Sequence, residues 1–261
     1  MKPVITFIIS AIMILVFSCG SSKKPENTTA SRPPQKGNDS LKYYCQKFDS
    51  LNSLIRDCEI DTTIGKAEYK KIIAQIRLQC EKAKLTKHSK TEWVFPVKGY
   101  NSTNIGGTHG EGYIVGKYNY FAGNKHVGHP SQDIFIHDND QNIIDDNTGK
   151  PVDVLSLTGG VVIASRSTWE PTETRRGGIY LWIYDNATDA VVYYAHNSKI
   201  LVTPGDTIYP GMKIAEIGRS GINAYKKRSP THLHLSYLKV NTNLPVPENL
   251  YKELKTAKLF K

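Results

Sequence analysis

Thr231-His232-Leu233-His234-Leu235 places two histidines two residues apart in an otherwise apolar run. Side chains alternate faces along a strand, so His232 and His234 project together while Leu233 and Leu235 turn into a core. Two imidazoles on one wall of a sheet suit a metal site, one as ligand and one as neighbour. Alone, the pair reads as readily as a surface feature or a hydrogen-bonded core pair. Its meaning depends on what stands upstream.

Upstream the chain reads Gly128-His129-Pro130-Ser131-Gln132-Asp133-Ile134-Phe135-Ile136. Pro130 opposes a helix and pushes His129 toward extended backbone. The even offset from His129 to Asp133 then sets both on one face. A further histidine closes Val191-Val192-Tyr193-Tyr194-Ala195-His196, at the end of a β run. Imidazole nitrogens and a carboxylate oxygen are ligands that Zn²⁺ takes in catalytic sites, where three protein ligands leave one position open to water. His129, Asp133 and one of the late pair would make that count. Two histidines would remain unligated, fit for proton transfer. A capped turn would explain Asp133 and a surface strand end His196, but the ordered set resists such piecemeal accounts.

The His-x-x-x-Asp, Tyr-x-His and His-x-His series resembles the lysostaphin-type (LytM-like) zinc metallopeptidases, which cut peptide cross-bridges in peptidoglycan. Pro204-Gly205-Asp206-Thr207-Ile208 through Gly211 to Gly218-Arg219-Ser220-Gly221 is similar to that family's glycine-punctuated turns before the last histidine strand. The resemblance covers residues 93–240. It implies that His129, Asp133 and His234 hold one Zn²⁺, with His196 and His232 as the unligated catalytic pair. All five positions are filled. The rival expectation is a non-catalytic LytM-like activator of cell-wall amidases, but such relatives typically lack the metal residues. A purely structural zinc site would need a fourth protein ligand, His196 or His232.

Two segments depart from the family pattern. Ile136 to Gly149 is long and acidic; lacking the glycine and closing Glu of an EF-hand, it reads as an exposed polar hairpin. Arg166 to Gly178, with Trp169 and two further arginines, reads as a groove-side insertion.

At the front, Pro3 to Ser18 forms an apolar run after Lys2, followed by Cys19. It is shorter than the ~20 residues that span a bilayer and ends at a small residue before cysteine. It resembles a bacterial lipoprotein signal (residues 1–18), with lipidation at Cys19, although Phe17 is an imperfect match. In a cell with an outer membrane, the resemblance to lipoprotein sorting rules, with Gly20 after the cysteine, implies that membrane, facing the periplasm. Residues 19–40 carry no apolar side chain larger than alanine after Cys19 and read as a disordered tether.

Residues 41–88 change character. Leu41, Tyr44, Cys45, Phe48, Leu51, Ile55 and Cys58 recur at helical spacing, as do Tyr69, Ile72, Ile73, Ile76, Cys80 and Ala83. Asp61-Thr62-Thr63-Ile64-Gly65 supplies a turn, so the reading is an antiparallel helical hairpin. Folding it brings Cys45 opposite Cys80, and an exported protein can keep a disulfide there. Cys58 is left over, as a buried thiol or an intermolecular partner. The hairpin is either a module for a protein partner or, the favoured reading, a spacer that packs on the catalytic domain.

Residues 89–261 are β-rich. Val154 to Ala164 and Gly178 to His196 read as strands joined by Gly159-Gly160 and by Asp185-Asn186-Ala187-Thr188-Asp189. The expected fold class is therefore mostly β: an antiparallel sheet with an open groove, preceded by the hairpin. The net charge of +10 is spread along the chain. It would suit cell-wall polymer or lipid headgroups, but so even a spread reads more simply as a solvated basic face, and nucleic acid is not expected for an exported, anchored chain. Tyr120 is a conceivable oxyanion donor but reads better as packing; His88, His109, His126 and His137 read as surface or loop histidines.

Overall fold

The computed structural model describes residues 35–36 and 39–260. The expected signal peptide, the Cys19 lipidation site and most of the tether lie outside the described residues. In chain order the elements are β1 (Gln35–Lys36), α1 (Asp39–Arg56), α2 (Thr62–Lys82), β2 (Ser131–Phe135), β3 (Asp153–Leu155), β4 (Gly160–Arg166), β5 (Ile179–Asp185), β6 (Ala190–Ile200), β7 (Asp206–Ile208), β8 (Lys213–Ile217), β9 (His232–Lys239), β10 (Val246–Pro247) and α3 (Tyr251–Thr256). The strands form one antiparallel sheet along β1-β7-β4-β5-β6-β8-β3, with β9 pairing β6 and carrying β2 and β10. The sheet is open, and the mostly β class with a preceding helical pair is the one the sequence led us to expect. Among the described residues, no helix is long and apolar enough to cross a membrane.

Ile179-Tyr180-Leu181-Trp182-Ile183-Tyr184 is apolar at every position because both faces of β5 are covered. Leu181 and Ile183 join Val192, Tyr194, Leu233 and Leu235 in one core. Trp182 and Tyr184 join Val161, Ile163, Val191 and Tyr193 in a second, and it is closed by Leu41, Phe48 and Ile55 of α1 and Tyr69, Ile73 and Ile76 of α2. The hairpin is thus a layer laid on the sheet. Polar bonds fix its register: Asn52 Nδ2 donates to Tyr180 Oη (3.0 Å), and the Ser165 N–H donates to Asp49 (3.0 Å).

Local chemistry sets the hairpin's bounds. Asp61 caps α2 by accepting the N–H groups of Thr63 (2.8 Å) and Ile64 (3.2 Å), so Thr62 onward is already helical. The turn is therefore Asp57 to Asp61, earlier than expected. At the other end α1 begins at Asp39, inside the expected tether, and Gln35 and Lys36 pair with Thr207 and Asp206.

The expected Cys45–Cys80 disulfide is corrected: both are free, buried thiols, and Cys58 is free and exposed. Cys45 and Cys80 pack as small apolar groups in the core between helices and sheet. Burial raises both thiols, Cys80 to about 12. That disfavours the thiolate from which a disulfide forms. Cys58 lies beyond α1 in left-handed backbone (φ 61°) and reaches Ala122 O at 3.5 Å.

Residues 136–149 form no hairpin strands. Asp138 is buried and accepts the N–H groups of Asn142 (2.9 Å) and Ile143 (3.0 Å) and the Thr231 hydroxyl (2.6 Å). These bonds, with positive φ at Gln141 and Ile143, curl the segment into a loop before a strand ladder can start.

Candidate metal centre and cleft

Sheet register brings the three histidine motifs together. β2 runs antiparallel to β9, setting Asp133 opposite His234 and Phe135 opposite His232. On the other side of β9, Ala195 of β6 stands opposite His234. His129 precedes β2 and is held by paired backbone bonds with Ile114 (2.6 and 2.8 Å). Gly128 makes this approach possible: at φ +87° a Cβ there would stand 2.2 Å from Val115 O.

His196 owes its aim to a β-bulge. Ile179 pairs with Asn197 but Leu181 with Tyr194, leaving Ala195 and His196 as the irregularity. His196 sits at φ +67°, left-handed backbone that a non-glycine residue adopts only when its surroundings hold it. The bulge brings its ring to 5.0 Å from His232 and 5.4 Å from His234, between centroids.

Around Asp133 the donors converge. His129 Nε2 lies 3.2 Å from Asp133 Oδ2, and His234 Nδ1 lies 3.0 Å from Oδ1. His129, Asp133 and His234 each offer a ligand atom within 4.8 Å of the others, a group able to hold a metal ion. His232 Nε2 is farther from the carboxylate, at 3.8 Å.

Each ring also has a partner on its far side. His129 Nδ1–H donates to Gly112 O (2.8 Å), His196 Nδ1–H to Ser220 O (2.8 Å) and His232 Nδ1–H to Pro230 O (2.7 Å). A carbonyl only accepts, so these three rings carry a proton on Nδ1 and turn Nε2 to the cleft, where that of His129 meets the Asp133 carboxylate. His234 is reversed: its Nε2 bonds Ser131 Oγ (2.7 Å), itself bonded to Ser236 Oγ (2.7 Å), and Nδ1 faces Asp133.

Burial would raise the Asp133 carboxyl, but hydrogen bonds from His129 and His234 outweigh it and hold the group well below the usual carboxylate range. Burial depresses His196 far below the ordinary imidazole value, helped by His232 and His234, and also lowers His234. His129 moves the other way: burial opposes protonation, but the Asp133 contact prevails.

The structure therefore brings all five candidate residues into one cleft of about 190 Å³. Tyr120 is not in its lining; it is buried against Tyr69 and Trp182 and donates to Asn52 Oδ1 (2.9 Å). His88 pairs with Glu92, His137 lies against Tyr100, and His109 is exposed. His126 departs from expectation. It lines the cleft, and burial together with Arg56 and Arg176 lowers it to about 4. Arg56, Arg176 and Tyr193 line the cleft too. Arg176 lies in the segment read as a groove-side insertion. For Arg56 the signal was present but faint: Asn52 and Arg56 continue, at helical spacing, the stripe of Leu41, Cys45 and Phe48.

Residues 142–245 match peptidase family M23. This span holds His196, His232 and His234 and begins after His129 and Asp133. No curated protein is significantly similar to the chain. Solved structures similar to it include a zinc containing peptidase from Vibrio cholerae (25% identity over 60% of this chain and 39% of that one, TM-score 0.37). Lysostaphin from Staphylococcus simulans is similar at 20% identity over 64% of this chain and 55% of that one, with a TM-score of 0.39. A lytM chain from Ruminococcus gnavus is similar at 19% identity over 91% of this chain and 95% of that one, with a TM-score of 0.42. The chain spans less than two thirds of the length of the first two.

Proposed function

We propose that this chain, which carries a peptidase family M23 domain, is a zinc-dependent endopeptidase that hydrolyses peptide cross-links or stem peptides of peptidoglycan. It would act at the cell envelope, anchored through a lipid on Cys19. The observation that carries the reading is the convergence of a His–Asp–His donor set and two further histidines in one cleft.

The donor set fits zinc. Two imidazole nitrogens and a carboxylate oxygen are its ligand chemistry, and tetrahedral bonds of ~2.0–2.1 Å place ligand atoms ~3.3 Å apart. His129 and His234 stand 3.2 and 3.0 Å from different oxygens of Asp133, and one ligand atom from each of the three residues falls within 4.8 Å of the others, so a small inward shift would close the set on an ion. His129 through Nε2, Asp133 and His234 through Nδ1 would hold the ion. Ser131 Oγ is placed to accept the His234 Nε2 proton, which leaves Nδ1 bare. When bound, zinc lowers the pKa of water toward ~7 and polarises the scissile carbonyl.

The remaining chemistry belongs to His196 and His232. Both donate Nδ1–H to a carbonyl and present Nε2 to the cleft, so each can accept a proton there and return it to the leaving amine. Burial keeps His196 neutral, the form a base requires. Once protonated, either ring is an N–H donor for an oxyanion.

The test is to digest purified peptidoglycan with protein beginning after Cys19. Soluble muropeptides, lost with chelator and restored by zinc, are expected, and their masses identify the bond. Intact wall after treatment with zinc-loaded protein refutes the endopeptidase reading and favours an amidase activator.

A further inference from the structure

Arg56 is among the most buried charged residues described, at 5% exposure, yet it lines the cleft. The nearby acids are already paired. Asp57 takes a two-point contact from Arg175 (2.7 and 2.8 Å), and Glu173 accepts from both Arg175 and Arg166. Arg56 makes no direct ion pair: among the described residues no carboxylate lies within ion-pair distance of it, and Asp57, already bridged by Arg175, feels its charge only from farther off. Its Nη2 donates to Tyr193 Oη (2.8 Å), and its guanidinium packs 5.1 Å from the Tyr193 ring centroid and 5.8 Å from that of Tyr180. A guanidinium has five N–H donors. Burying one without a counter-ion is costly, so the cation calls for an anion from elsewhere.

The surroundings point the same way. Arg176 adds a second cation and is tied to the cleft wall by donating to His126 O (2.7 Å). Asp133 is the one carboxylate in the described lining, and it is engaged by His129 and His234. Gly177 packs its backbone closely against this pair, since a Cβ there would stand 1.9 Å from Tyr193 Oη and 3.3 Å from Arg56 Nη2. The position is close to the chemistry. Tyr193, which holds Arg56, has its ring centroid 5.9 Å from that of His234.

We propose that Arg56, carried into the cleft by α1, recognises a carboxylate on the substrate residue that follows the scissile bond. The proposal rests on the endopeptidase reading and narrows it to peptides with a free carboxylate beside the bond cut, rather than neutral glycine bridges. The hairpin thereby contributes a specificity residue to the sheet's active cleft.

The test compares Nα,Nε-diacetyl-Lys-D-Ala-D-Ala with its C-terminal carboxamide, two probes that differ in one charge. Binding is measured by calorimetry on the zinc-loaded chain in a His232→Ala background, which stops turnover. The acid is expected to bind about tenfold more tightly than the amide, the value of a charge-assisted hydrogen bond. Arg56→Gln should make the two equal, and Arg56→Lys, which keeps the packing stem and the charge, should shrink the preference. Equal binding of the two probes, no measurable binding of either, or a preference unchanged in the folded Arg56→Lys or Arg56→Gln chain overturns the proposal. If peptidoglycan stays uncleaved while the Arg56-dependent preference persists, the endopeptidase reading fails and the anion site stands.

Discussion

Truncating Phe48 tests whether the hairpin and the sheet are one cooperative body. Phe48 is 1% exposed on α1, packs edge-on to Tyr69 of α2 at 5.3 Å, and shares a core with Val161, Ile163 and Trp182 of the sheet. Phe48→Ala removes a whole ring from a packed interior and costs about 3–5 kcal/mol. A unit of this size loses about 2–4 °C of Tm per kcal/mol, so the midpoint should fall by roughly 6–20 °C. Circular dichroism and tryptophan fluorescence, followed through the same melt, should report one coincident transition. Leu54→Ala, on the exposed side of α1, is the control and should shift stability by about 0.5 kcal/mol or less. A helical transition that moves while the fluorescence transition stays put would refute the shared core. A loss as small as the control's would refute it too. It would also undercut the placement of Arg56 in the cleft, because the same interface holds it there.

Three further perturbations probe the site. Ser131→Ala removes the acceptor that orients His234, and zinc affinity should weaken by about 10–100-fold in a chelator competition; unchanged affinity would rule out that orienting role. His126, lowered from 6.5 to about 4 by burial, binds fewer protons folded than unfolded between those values, so it costs stability as pH falls from 6.5 to 4 and has no effect above. Metal-free His126→Asn should therefore lose less Tm over that interval than the parent, and an NMR midpoint for His126 near 6.5 would contradict the burial argument. Gly177→Ala cannot keep its backbone with a Cβ 1.9 Å from Tyr193 Oη, so muropeptide release should drop while the zinc content stays; full activity would show that the loop yields freely.

Much of the site was legible because strands obey a strict alternation. The His-x-His pair and the His-x-x-x-Asp pair each predict a shared face, and the register of β2 on β9 joins the two faces into one centre. His196 stood out at the end of a β run and took its catalytic role from the family resemblance; alternation along β6 says nothing of the bulge and positive φ that aim its ring. Arg56 could not be assigned from sequence, since its role depends on the docking of α1 onto the sheet, and His126 joins the cleft beside Arg176 through a contact between distant segments. The disulfide expectation failed for a related reason. Two cysteines facing each other inside a hairpin satisfy the same apolar pattern whether bridged or free, and here they pack as thiols. The acidic loop was misjudged because Asp138, taken for an exposed residue, is buried and captures backbone N–H groups.

The most direct test of the account is zinc stoichiometry, measured side by side on the parent chain, His232→Ala and His234→Ala, each confirmed folded. The account predicts one zinc per chain in the parent and in His232→Ala, with peptidoglycan cleavage lost in the latter, and no zinc in His234→Ala. Zinc retained by His234→Ala, or lost from His232→Ala, would contradict the division of the five residues into three ligands and two proton carriers.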